Sequence, residues 1–295
     1  MHRVKTVLFL IVVFLAPIFA MMPAKIAAAN SNSCSQFLSS SRALTPQIKD
    51  NLVANAKSDR APRILLDAIA KNDITSVCVL LMSGVDPNSV VDEEVSALGM
   101  AAARTHSHLV QVLLEFGANP NLLPTNSIYT PLLVTAYNGD VQTAELLLDH
   151  GADTSLKGSQ GDLAVCTAAQ RNNYEFLKLL YSVGADLNMR GRHGMTPFHC
   201  AALVGAEETI GFLISQSVNM DVFDDFDRTP LMYLVIGERM DLAMKLIDCG
   251  ADIQASSRSG KTALNFVNRT KFPETADYMS TASGSADSYK SRCPY

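Results

Sequence analysis

Apolar positions along this chain come in short bursts that return at a fixed interval. Aliphatic runs at Val112-Leu113-Leu114, Leu146-Leu147-Leu148, Leu179-Leu180 and Phe212-Leu213-Ile214 alternate with alanine pairs at Ala101-Ala102, Ala168-Ala169 and Ala201-Ala202. Polar start signals keep the same beat. Thr130-Pro131-Leu132, Leu163-Ala164-Val165, Thr196-Pro197-Phe198, Thr229-Pro230-Leu231 and Thr262-Ala263-Leu264 stand 33 residues apart, and Ser96-Ala97-Leu98 lies 34 before the first of them. A second series falls 21 positions after each start, at Gly84, Gly117-Ala118-Asn119, Gly151-Ala152-Asp153, Gly184-Ala185-Asp186, Ser217 and Gly250-Ala251-Asp252. Two phases that agree over six units mark an internal repeat.

Within a unit, the Thr or Ser hydroxyl is placed to cap a helix. The adjoining Pro suits its first turn, where the missing N–H has no intrahelical partner. The alanine pairs make one face of that first helix narrow enough for close packing, and the leucine-rich run predicts a second helix. The glycine behind it fits a left-handed stop, and the Asp or Asn two residues later favours a turn. Helix pairs this short cannot bury their own apolar faces, so neighbouring units must stack.

Thr196-Pro197-Phe198-His199, the alanine pair after it and the Gly-Ala-Asp closures resemble the ankyrin repeat. The resemblance implies an all-α ankyrin-repeat solenoid of about six to seven units, at 58–90, 91–124, 125–157, 158–190, 191–223, 224–256 and 257–283. Antiparallel helix pairs would be linked by projecting β-turn fingers, with partner binding as the usual activity. Several units depart from the pattern. Arg63-Ile64-Leu65 stands where Thr-Pro-Leu is expected, so the first unit reads as a cap. Leu163 and Cys166 fill the Thr and His slots of the fourth, and Leu234-Val235 replaces the alanine pair of the sixth.

Outside the array, residues 1–29 read as a secretory signal: Arg3 and Lys5, an apolar run from Thr6 to Met22, then Ala27-Ala28-Ala29 as the cleavage site. Cleavage predicts a secreted or periplasmic protein with no membrane contact, and retention would leave a membrane anchor. The segment 30–57 is expected to hold one capping helix over Pro46–Lys57, and 284–295 to be a disordered tail.

Charge and composition narrow the function further. The formal net charge is −5, becoming −8 without residues 1–29, and such a chain is a poor nucleic-acid binder. Cys34, Cys78, Cys166, Cys200, Cys249 and Cys293 form no Cys-x-x-Cys pair, so neither a zinc site nor a redox motif is indicated. Stacked helices lie about 8–10 Å apart, beyond the roughly 7 Å that a disulfide spans between Cα atoms. Cys78, Cys166, Cys200 and Cys249 are therefore expected as buried thiols. Cys34 and Cys293, on the terminal segments, are left to pair with each other, with another chain, or not at all.

His106 and His199 fall in structural slots of the repeat. Asp224-Asp225-Phe226-Asp227 lacks calcium-loop spacing and reads as a solvated acidic finger. Asn268-Arg269-Thr270 is a formal glycosylation sequon. No phosphate loop or nucleophile elbow occurs, and no enzyme, cofactor or metal site is expected.

The resemblance places partner contacts on the concave face, in finger residues before each Thr slot and at two late positions of each first helix. Carried onto this chain, that rule selects Tyr129, Tyr137, Gln170, Arg171, Arg192, His193, Met195, Phe223, Phe226 and Ile236. Aromatic and Arg side chains combine contact area with forked hydrogen bonding. The expected function is a non-enzymatic, exported scaffold for a protein partner, with self-association open because Met195, Leu203 and Ile236 are apolar. Two readings stay beside it: a redox- or metal-responsive exported protein using Cys and His, and a pathogen effector binding host proteins.

Overall fold

The computed structural model describes residues 32–40, 45–282 and 292–295. The signal expected at 1–29 lies outside the described residues, as does 284–291 of the expected tail. Among the described residues there are fifteen α-helices, two short 3-10 turns and one two-stranded ribbon, arranged as two compact units that meet in sequence at Asn126 and Ser127. No helix among them is long and apolar enough to cross a membrane.

The first unit holds α1 (Asn32–Ser40), α2 (Pro46–Asn55), α3 (Ala61–Ala70), α4 (Ile74–Met82), the hairpin β1 (Val90–Val91) and β2 (Val95–Ser96), α5 (Ala97–Ala103) and α6 (Ser107–Glu115). Helices α3 and α5 stack as first helices and α4 and α6 as second helices, while α1 and α2 pack on α4. The end of α3 keeps the 33-residue phase with α5, but its start runs ahead to Ala61 instead of following Arg63. Pro62 falls in that first turn, where its missing N–H costs no helical bond.

The second unit holds α7 (Pro131–Asn138), α8 (Val141–Asp149), α9 (Ala164–Gln170), α10 (Tyr174–Ser182), a 3-10 turn (Arg192–Gly194), α11 (Pro197–Val204), α12 (Glu207–Ser215), α13 (Pro230–Ile236), α14 (Met240–Asp248), a second 3-10 turn (Ala263–Phe266) and α15 (Pro273–Ala282). First helices α7, α9, α11 and α13 pack successively on one another. Their alanines and leucines, with Phe176 and Phe198, fill the core.

Capping follows the sequence signals. Thr130 Oγ1 accepts the Leu133 N–H at 3.2 Å, Ser96 Oγ that of Gly99 at 3.0 Å, and Thr229 Oγ1 that of Met232 at 3.4 Å. Second helices carry caps the motif did not announce: Asp73, Asp140 and Asn173 each accept an N–H three residues on at 3.0 Å. Between the two helices of a pair the chain must turn through a left-handed residue, and this is glycine only at Gly139 and Gly205. Asn72, Thr105, Asn172 and Glu238 take the same role.

Three expectations are corrected. Cys78 and Cys249 are not thiols. Cys34 bonds to Cys78 with 5.5 Å between Cα atoms, and Cys293 bonds to Cys249 with 4.5 Å. The helix-spacing argument holds between stacked helices, but each of these partners comes from a segment outside the repeats, which is free to approach more closely. Cys34 and Cys293 are accordingly not joined to each other. Secondly, the N-terminal segment forms two helices, and the additional one, α1, carries the fully buried Cys34. The expected one, α2, ends at Asn55 and buries none of its side chains. Thirdly, the end of the tail is anchored: Cys293 is tied to α14, and Tyr295 lies against Gly211 of α12 with its hydroxyl 3.3 Å from Glu207 Oε1.

Candidate partner-binding groove

In the second unit, the fingers and the late positions of the first helices line an open groove of about 440 Å³. Tyr129 and Tyr137 form one wall, Gln170, Arg171 and Val204 line it from the helices, and Asp162, Thr167 and Arg192 extend it. A neighbouring, more enclosed cavity of about 240 Å³ shares Asp162, Thr167, Gln170 and Arg192 and adds Cys166, His193, Met195, Cys200 and Leu203. Seven of the ten residues chosen from sequence thus converge. Phe226 touches the assembly through its ring, 5.2 Å from that of His193. Phe223 and Ile236 line neither cavity; Phe223 offers its carbonyl to Arg190 Nη1 at 2.7 Å.

The polar groups are already oriented. The Arg171 guanidinium lies 3.7 Å from the centroid of the Tyr137 ring, and Tyr137 faces Tyr129 with 6.1 Å between centroids. A cation held over a ring is stabilised by the ring quadrupole, so this ladder presents a defined edge. Arg192 donates through Nη1 to Gln160 Oε1 at 2.7 Å and through Nε to His193 Nε2 at 3.2 Å. Backbone bonds between fingers hold the floor: Ser159 N–H donates to Ile128 O at 3.0 Å, and Asp225 N–H to His193 O at 2.9 Å.

A second lateral series joins the closing loops. Asn88 Oδ1 accepts the Asn119 N–H at 2.7 Å, Asn188 Oδ1 that of Asn219 at 3.0 Å, and Asp221 Oδ1 that of Asp252 at 2.9 Å. The 31-residue separation is the signal that would have found these clasps. Burial, with the Asp252 charge adding to it, pushes the Asp221 carboxyl up, against the bond it accepts from Asp252.

The acidic finger differs from its expectation, because Asp224 is buried. Its Oδ2 accepts the Tyr233 hydroxyl at 2.6 Å, and its Oδ1 accepts the Phe226 and Arg228 N–H groups at 3.0 and 2.9 Å. Burial and then this carboxylate push the Tyr233 phenol up to about 12. Asp225 pairs with Arg190 at 3.3 Å, and Asp227 with Arg258 at 3.3 Å.

His199 keeps the role its slot implies. Its Nδ1 accepts from the Thr196 N–H at 3.2 Å and from Thr196 Oγ1 at 2.8 Å, and its Nε2 donates to Arg228 O at 3.0 Å. His106 sits 3.1 Å from Ile69 O through Nδ1. Sequence did not select Thr167, Cys166 or Cys200 for this face, although all three occupy first-helix slots beside selected residues. The neighbouring Cys200 side chain, then burial, push the Cys166 thiol well above the ordinary range.

Comparison with known proteins agrees with this architecture. The family description "Ankyrin repeats (3 copies)" matches residues 65–158, 136–224 and 165–257. Human ankyrin repeat and SOCS box protein 16 is 31% identical over 175 residues, 57% of this chain and 39% of that protein. The Arabidopsis thaliana E3 ubiquitin-protein ligase KEG is 25% identical over 240 residues, 64% of this chain and 15% of that protein. The chain therefore spans well under half of each relative. The crystal structure of the human ASB11 ankyrin repeat domain superposes with a TM-score of 0.64 at 22% identity, over 75% of this chain and 98% of that one.

Proposed function

Because the chain belongs to the ankyrin-repeat family, whose repeats generally mediate protein–protein interaction, we propose that it is a non-enzymatic, exported scaffold that binds a protein partner through the groove of its second unit. The observation that carries this reading is the pre-oriented ladder of Tyr129, Tyr137 and Arg171, with Arg192 fixed beside it. Exposed aromatics and arginines held in place lose little conformational freedom on binding, which is how interface anchors gain affinity. Tyr137 is 50% exposed and Phe226 55%, so both retain apolar area for a partner to cover. Export is supported by two features, the signal-like residues 1–29 and the two disulfides, bonds that persist in oxidising compartments.

The test is affinity capture from the native compartment with the full chain against a variant carrying Tyr137→Ala, Arg171→Ala and Arg192→Ala. Surface truncations of this kind change folding stability by about 0.5–1 kcal/mol each, so the variant is expected to stay folded and lose its partner. Undiminished recovery of the same partner would remove the groove from the reading.

A further inference from the structure

Resting on the groove reading above, we infer that the partner presents an acidic peptide segment, in which Asp or Glu carboxylates flank an aromatic or aliphatic side chain. Arg171 and Arg192 take the carboxylates, and Tyr129, Tyr137 and Val204 take the apolar side chain.

Unmatched charge is the first argument. Elsewhere in the second unit, Arg190, Lys245, Arg258 and Lys271 each pair with a carboxylate, those of Asp225, Glu207, Asp227 and Glu238. Arg171 and Arg192 are both exposed, and among the described residues no carboxylate lies within ion-pair distance of either. Asp162 is the one acid lining the groove, so two guanidiniums stand against a single carboxylate. The chain as a whole carries −5. A positive surplus set in an acidic surface steers an anionic partner to that spot and disfavours its seating elsewhere.

Available donors are the second. A guanidinium presents a planar fork of N–H groups that matches a carboxylate. Arg171 is held over the Tyr137 ring, 3.7 Å from its centroid, and a cation so held keeps both its charge and its N–H donors. Arg192 is oriented by its bonds to Gln160 Oε1 and His193 Nε2, and its remaining N–H groups stay open to a partner. The third argument is the apolar content of the same groove. Tyr129, Tyr137 and Val204 are exposed there, an area that a purely charged ligand would leave wet. An evenly charged polyanion such as a nucleic acid would also meet the acidic excess outside the groove. A peptide that sets carboxylates beside an apolar side chain fits both features.

The experiment pans a phage-displayed library of random linear peptides on the full disulfide-bonded chain, then measures the most enriched peptide, made with blocked ends, by fluorescence anisotropy. Enriched sequences are expected to carry Asp or Glu on both sides of an aromatic or aliphatic residue. Replacing those acids by Asn or Gln should weaken binding about 10- to 100-fold, and Arg171→Gln with Arg192→Gln should weaken it by a similar factor. Combining the two changes should cost little more than either alone, the mark of direct coupling. Circular dichroism establishes that the variants keep their helices, and the amide peptides test the inference on the wild-type chain in any case. Neutral or basic peptides that are lost with Tyr137→Ala overturn the acidic segment and leave the groove reading standing. Acidic peptides indifferent to Tyr137→Ala, Arg171→Gln and Arg192→Gln seat elsewhere and overturn both. The inference also falls if no peptide is enriched, or if an oligothymidylate displaces the selected peptide as well as its own unlabelled form does.

Discussion

His199 shows how one side chain can fix both a local turn and a pH response. Its Nδ1 accepts from Thr196 and its Nε2 donates to Arg228 O, so the folded protein holds it neutral in one tautomer. Burial is the main reason its pKa falls below the ordinary 6.5, outweighing the Arg228 carbonyl and the nearby Asp224 carboxylate; the Arg190 charge lowers it further. A base with a depressed folded pKa contributes stability that is full above the unfolded value and declines as pH drops toward the folded one. Urea unfolding at about pH 7.5 and about pH 5 should therefore show a loss on acidification that is smaller in His199→Gln. Equal losses in the two proteins would show that the imidazole does not set the response. The role of His199 was legible because the Thr-Pro-x-His slot carries it. Asp224 was not legible, since a run of acids reads as solvated until Tyr233, on the following helix, turns out to reach it.

At the scale of elements, the 33-residue phase was enough to place most helix pairs, because cap, alanine pair and leucine run all point to one answer. It could not give α1, whose Ser-rich sequence has no repeat phase and whose burial comes from docking Cys34 against α4. Nor did it give the lateral clasps. Asn88, Asn188 and Asp221 each reach the next closing loop, but the equivalent position in the third repeat is Ser155, whose hydroxyl turns back to Asp153 Oδ1 at 2.6 Å. Ser155→Asn should supply the absent clasp to the Asp186 N–H and stabilise the second unit by about 0.5–1.5 kcal/mol. Its midpoint in thermal unfolding is the measurement, and an unchanged or lower midpoint would show that the loop cannot accept it.

For the molecule as a whole, the disulfides tie each end of the described chain to a repeat within its own unit: Cys34 to α4 in the first, Cys293 to α14 in the second. Each closes a separation of 44 residues, for which a contribution of about 2–4 kcal/mol is ordinary. Replacing Cys34 and Cys78 together by serine should make the amides of 32–40 exchange rapidly with deuterated solvent while those of α5 stay protected. Continued protection of 32–40 would show that packing alone holds the cap. The missing clasp at Ser155 also bears on binding. The loops of the third and fourth repeats lack the tie that neighbouring loops have, and these are the repeats whose Tyr137 and Arg171 meet across the groove. The joint that receives a guest thus has one polar tie fewer than the joint between the fourth and fifth repeats, and its alignment is left to helix packing and to the finger bond from Ser159 to Ile128.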